Sequence, residues 1–284
     1  MPIDLHLHST HSDGTLTPAA IIIEAKRLGL SAVALTDHNT VSGIPDFLEE
    51  AHQHGVTAVA GTELSTVYED KEFHLLGLFI PTEHLSAVTA LTEDYLTRKE
   101  QSNMDLVARL AADGYSVDYA AIKESTPDGN INRALIAKAL LAGGYVPSVK
   151  AAFDTLLGEG MGYYIPPSRP DFFETVRFLR SIHTLPVWAH PLQYIEDSTV
   201  QKILPIAVEA GLLGMEVKHS SYDDATVTRA KAMADEFGLL YSGGSDFHGG
   251  VKPDVSMGMG SRDTDKPNIP DGYFERLRER AEGL

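Results

Sequence analysis

Two histidines one residue apart, His6 and His8, close a short apolar run at the start of the chain, and Asp13 follows in the next polar segment. In an extended strand alternate side chains share a face, so the two imidazoles point the same way, close enough to hold one cation. The combination recurs. His38 follows the run Ser31 to Leu35, Glu63 follows Val56 to Ala60, His190 follows Pro186 to Ala189, and Asp246 and His248 follow Leu239 to Ser242. With His74, inside a run from Phe73 to Ile80, these residues make nine nitrogen and oxygen donors. The chemistry they could perform together is that of a multinuclear metal centre. His52, His54, His84 and His183 fall on expected helices or in polar loops and read as surface residues.

Composition narrows the alternatives. The chain has 284 residues, is 43% hydrophobic and contains no cysteine. That length buries a sizeable core, as one large domain or one with an embedded smaller one. Without cysteine there are no disulfides, no thiolate metal sites and no cysteine nucleophile, so a metal must be held by nitrogen and oxygen, which suits Mn, Fe or Zn. The formal net charge of -17 argues against a long nucleic acid duplex held on a broad basic surface. It does not exclude an anionic substrate, because bound cations dominate the local field. No apolar run reaches membrane-spanning length and no basic-then-apolar leader opens the sequence; a cytoplasmic protein that does not insert into membrane is the expectation. The oligomeric state is not legible.

The donors need elements to carry them. Strand-like runs alternate with helical ones: a helix from Ala19 to Arg27 introduced by Thr17 and Pro18, a helix from Val41 to His54, and the short strands already named. From Leu85 to Leu157 the signals turn almost wholly helical, with turns at Asp113-Gly114 and Gly143-Gly144. The alternation then resumes through helices at 172–182, 200–210 and 223–237, a strand from Gly214 to Val217 leading to His219, and a last charged helix from Tyr273. The expected architecture is an α/β fold, a distorted (β/α)7 barrel over residues 1–84 and 158–284 with an inserted helical subdomain over 85–157. Functional side chains at strand C-terminal ends favour a barrel over an open sheet.

His6-Leu7-His8, Ser12-Asp13-Gly14, Thr36-Asp37-His38, Gly61-Thr62-Glu63, Phe73-His74, Ala189-His190-Pro191 and Gly244-Ser245-Asp246-Phe247-His248 together resemble the motif set of the PHP (polymerase and histidinol phosphatase) superfamily. The likeness is greatest to stand-alone phosphoesterases that include the 3',5'-bisphosphonucleotide phosphatases. The resemblance implies three divalent ions: one on His6, His8, Glu63 and Asp246, a second on Glu63, His74 and His190, and a third on Asp13, His38 and His248. Three divalent ions against three carboxylates leave about +3 locally, attractive to a phosphate dianion. His11 is set aside because its counterpart in that family is not a ligand. Asp37 reads as a partner that orients a ligand or loop, or as a helix N-terminal carboxylate before Val41.

The implied reaction is hydrolysis of a phosphate monoester of a small metabolite, a nucleotide such as a 3',5'-bisphosphate leading, by metal-bound hydroxide. Glu63 and Asp246 are its central carboxylates. Arg133 matches an arginine that in relatives begins an insertion helix facing the metals and could clamp a second phosphate, although Leu135 stands where relatives usually carry a histidine. His219 could protonate a leaving oxygen or bind phosphate, or face outward from its loop. Competing readings are a phosphodiesterase acting on a cyclic phosphate or on short oligonucleotides from the 5' end, and a non-catalytic metal-binding PHP module.

Overall fold

The protein is described by a computed structural model covering residues 1–69, 71–126, 131–264 and 266–284. Strand β1 (Asp4–Leu7) leads to α1 (Pro18–Leu28), β2 (Ala32–Leu35), α2 (Ile44–His54), β3 (Thr57–Tyr68) and β4 (Lys71–Leu78). Four helices follow, α3 (Leu85–Ala112), α4 (Tyr119–Glu124), α5 (Arg133–Ala142) and α6 (Val149–Ala152), the last running into a wider turn over Phe153–Leu157. The alternation returns with α7 (Phe172–Ser181), β5 (Leu185–Trp188), α8 (Asp197–Ala210), β6 (Gly214–His219), α9 (Asp224–Glu236), β7 (Leu240–Gly244) and α10 (Asp271–Glu282). Local chemistry sets the helix ends. Thr17 accepts the Ala20 N–H at 3.2 Å with Pro18 in the first turn, and Asp171 and Asp223 cap α7 and α9 through the N–H groups of Glu174 and Thr226.

The seven strands lie in sequence order in one sheet. It closes where the chain beyond β7 meets β1: the Asp246 N–H reaches the His6 carbonyl and the His8 N–H the Phe247 carbonyl, both at 3.0 Å. Gly244 is required at that seam, because a Cβ there would lie 2.1 Å from the Cβ of His6. The expected barrel is therefore the observed one, with a deviation that matters for the site. β4 runs antiparallel to both β3 and β5 while the other neighbours are parallel, so its beginning, not its end, lies among the C-terminal ends of the others. For the same reason β3 does not stop at Ala60: residues 61–68 pair with β4 as a hairpin. α2 starts at Ile44 rather than Val41, with Pro45 in its first turn.

Apolar residues form three clusters. The largest, including Ile21, Leu35, Phe47, Phe172, Trp188 and Met215, packs strands against surrounding helices. A second joins Ile3, Leu5, Val59, Leu76 and Val187 to Phe274 and Leu277 of α10. A third, with Leu106, Leu110, Ile136, Leu140 and Leu157, belongs to the α3–α6 stretch. Among the described residues no helix is long and apolar enough to cross a membrane.

Candidate metal centre and its cleft

All nine expected donors meet at one end of the barrel, and Glu63 is their hub. Its Oε2 lies 3.1 Å from His6 Nε2, 3.2 Å from His8 Nε2 and 3.1 Å from His38 Nδ1. Its Oε1 lies 2.8 Å from His74 Nδ1 and 3.0 Å from His190 Nε2. Asp246 Oδ1 stands 3.2 Å from His8 Nε2, and Asp13 Oδ1 stands 3.1 Å from His248 Nε2. The hairpin explains His74: a histidine near the start of a reversed strand reaches the same face as residues near the ends of the parallel ones, with His74 directly opposite Ser65 on β3.

The donor atoms fall into groups that each could hold an ion: His6, His8, Glu63 and Asp246; His8, Asp13, His38 and His248; His38, Glu63 and His74; and His6, His190 and His219. The first coincides with an expected set. The second adds His8 to an expected set, because the His8 ring sits between Glu63 and Asp13. Two candidate ligands, His190 at φ 29° and Asp246 at φ 55°, have left-handed backbones, a cost of about 1–3 kcal/mol each that the surroundings must impose.

The surroundings do so through Asp37, which the sequence reading named, and through residues it passed over. Glu216, fully buried on β6, takes His6 Nδ1 at 3.0 Å on one oxygen and the His190 N–H at 2.8 Å on the other. It therefore fixes the His6 tautomer with the Nε2 lone pair turned to the centre. The signal was present: a carboxylate between Met215 and Val217 in a buried strand must have a partner. Asp4 accepts from the N–H groups of His6, Ser245 and Gly258 and from the Ser245 hydroxyl, tying β1 to the turn that carries Asp246. Lys252 places its ammonium 2.5 Å from Asp246 Oδ2, so Oδ1 is the oxygen turned to His6 and His8. Glu72 contacts His74 Nε2 at 3.3 Å and Arg169 at 2.7 Å. Asp37 accepts from the Ser9 N–H and from both the Ser9 and Ser12 hydroxyls, which orders the loop holding Asp13.

Electrostatics show what the cluster demands. Burial alone would raise the Glu63 and Asp246 carboxyls, yet both are held well below the usual range, Glu63 by His6, His38 and His74 and Asp246 by His248 and Lys252. Burial likewise opposes charge on the imidazoles, but His8 is pushed up to about 9 by Asp246 and Glu63, and His74 to about 10 by Glu63 and Glu72. His38 goes the other way, down to about 3, because burial prevails over Glu63 and Asp13. The carboxylates thus create a negative potential that requires nearby positive charge. Buried His6 Nε2, both His8 ring nitrogens, Glu63 Oε2 and His74 Nδ1 make no hydrogen bond among the described residues. An all-nitrogen-and-oxygen donor set with such atoms converging fits divalent ions.

His219 is buried on the inner side and does not face outward. The Ser221 N–H donates to its Nδ1 at 3.2 Å, which leaves the ring proton on Nε2, 3.4 Å from Asp246 Oδ2. Arg133 opens α5, its guanidinium 3.9 Å from the centroid of the Tyr164 ring with Nη1 donating to the Leu157 carbonyl at 3.1 Å. It lines a cavity of about 220 Å³ together with Lys99, Arg169, Asp13, His38 and His74. His11 bonds Ser42 and His54 pairs with Glu50, and none of the four histidines assigned to the surface belongs to a donor group.

The PHP domain family matches residues 4–161. The chain belongs to the PHP domain family. Among curated relatives, this PHP chain is 32% identical over 258 residues to the phosphoribosyl 1,2-cyclic phosphate 1,2-diphosphodiesterase of Eggerthella lenta, covering 87% of this chain and 94% of that one. It is 30% identical to the 5'-3' exoribonuclease of Haemophilus influenzae, covering 86% and 89%. It is 29% identical to the 3',5'-nucleoside bisphosphate phosphatase of Chromobacterium violaceum, covering 98% and 97%. Among solved structures, a protein from Bifidobacterium adolescentis assigned as a metal-dependent phosphoesterase superposes with a TM-score of 0.84 at 27% identity, covering 99% of this PHP chain and 98% of the other.

Proposed function

We propose that this protein is a metal-dependent phosphoesterase that releases phosphate from a small phosphorylated metabolite, with a nucleoside 3',5'-bisphosphate the leading class. The observation that carries this reading is the convergence of nine donors, five of them histidines that meet the Glu63 carboxylate, beside a cleft bearing Lys99, Arg133 and Arg169. His6, His8, Glu63 and Asp246 would hold one ion, His74 and His190 with Glu63 a second, and Asp13, His38 and His248 a third, with Mn the first choice. Such ions supply Lewis acidity to phosphoryl oxygens and acidify a water. The chain's own groups do the rest. His219 turns its Nε2–H toward the centre beside Asp246 and is placed to donate a hydrogen bond to a phosphoryl oxygen. Arg133, stiffened against Tyr164, presents a guanidinium for a second phosphate. Glu216 and Lys252 hold His6 and Asp246 in their orientations.

Residues 85–157 act as an inserted subdomain over the barrel, supplying Lys99 and Arg133 to one wall, and the site of action is the cytoplasm. Phosphodiester cleavage is the second reading, favoured by the names of two relatives, the cyclic phosphodiesterase and the exoribonuclease. A non-catalytic module would not need the full donor set.

The test is product analysis with Mn-loaded protein on a nucleoside 3',5'-bisphosphate, a 2',3'-cyclic nucleotide and a short 5'-phosphorylated RNA. Inorganic phosphate from the first, lost on chelation and restored by Mn, is expected. Nucleotide release from RNA without phosphate release selects the second reading, and turnover that survives exhaustive chelation overturns both.

A further inference from the structure

Among the described residues, two cavities of opposite character open beside the centre. One is the cationic cleft of Lys99, Arg133 and Arg169. The other, a cavity of about 310 Å³, shares only Glu72 and His74 with it and is walled by Phe73, Trp188, His190, Tyr194 and Ile195. Its charged groups apart from the histidines are the carboxylates of Glu72 and Glu159. Tyr194, four residues beyond His190, is 86% exposed, the most exposed large apolar or aromatic side chain described. Its hydroxyl accepts from Gln193 Nε2 at 2.9 Å.

A phosphorylated substrate at the centre can send the group it carries into one cavity or the other. Glu72 lines both cavities and, like Glu159, faces Arg169, at 2.7 and 3.8 Å. The difference therefore lies in the cations: the cleft offers an anion Lys99, Arg133 and Arg169, whereas the second cavity is lined, among the described residues, by neither lysine nor arginine and gives a charged group nothing to pair with. Its walls are apolar and aromatic, and an exposed tyrosine ring offers a large, stiff stacking face at low entropic cost. We propose that this second cavity is a binding site for the planar, uncharged part of the substrate, an aromatic ring such as a nucleobase, stacked on Tyr194. The inference rests on the phosphoesterase reading above and adds to it a division of labour: charge to one side of the centre, the flat ring to the other.

Calorimetric titration of Mn-loaded protein with phenylphosphonate and methylphosphonate tests this without turnover. The intact protein should bind the phenyl compound about tenfold more tightly, in line with one stacked ring. Tyr194→Ala should abolish that preference while Tyr194→Phe keeps it, with methylphosphonate affinity the same in all three. Equal affinities in the intact protein, no binding of either compound, or a preference that survives Tyr194→Ala overturns the proposal. Turnover of a nucleoside 3',5'-bisphosphate, a 2',3'-cyclic nucleotide and a short 5'-phosphorylated RNA is measured alongside. If none is hydrolysed while the phosphonate preference holds, the phosphoesterase reading fails and the ring site stands.

Discussion

The barrel mouth and the wall that faces it are built on different principles. At the mouth, candidate donors are buried and held by main chain or by second carboxylates: His6 by Glu216, Asp246 by its N–H on the His6 carbonyl, and the Asp13 loop by Asp37. On the wall, Lys99 and Arg133 ride on long side chains from helices with a hydrophobic cluster of their own, Arg133 resting on the rings of Tyr164 and Phe153 and on one carbonyl, while Arg169 is paired with Glu72. Rigid donors suit chemistry that tolerates little displacement, whereas adaptable cations suit choosing among substrates. The three relatives agree on phosphate esters and disagree on which ester, as such a division would produce.

Three substitutions sharpen or break that contrast, ordered by their effect on the centre. Glu63→Ala removes the hub shared by five histidines. It should abolish metal retention measured by elemental analysis and lower phosphate release by more than the ~100-fold typical of losing an outer partner of a ligand. Retained metal and turnover would mean that Glu63 is not central. Glu216→Gln keeps the shape but weakens the hold on His6, and should cost about 10–100-fold in metal affinity by competition with a chelating dye. Leu140→Ala in the α5 core should destabilise the protein by about 2–5 kcal/mol in chemical denaturation yet leave metal affinity unchanged. A parallel loss of metal binding would show that the wall and the mouth are one cooperative unit.

Much of the site could be read from residue types. His6 and His8 announce their shared face by spacing, and the parallel strands put His38, His190 and Asp246 where chain order suggests. His74 is the instructive case, since it sits near the beginning of its strand, and only the reversal of β4 makes that position equivalent to the others. Strand direction is a tertiary property that a short apolar run does not reveal. Lys252 was hidden for a similar reason: a lysine in a Gly-Gly-Val loop looks like solvent-facing charge until the fold brings it to Asp246. Glu216 was the legible omission, an acid inside a buried strand.

The seam between β1 and the segment after β7 joins regions some 240 residues apart in the chain, as the contact from Asp4 to Ser245 measures, and candidate donors stand on both sides of it. An ion gripped there by His6 and His8 on one side and Asp246 on the other would staple the barrel shut. Resistance to unfolding would then follow free metal concentration by mass action, tying the persistence of the fold to the cell's metal supply.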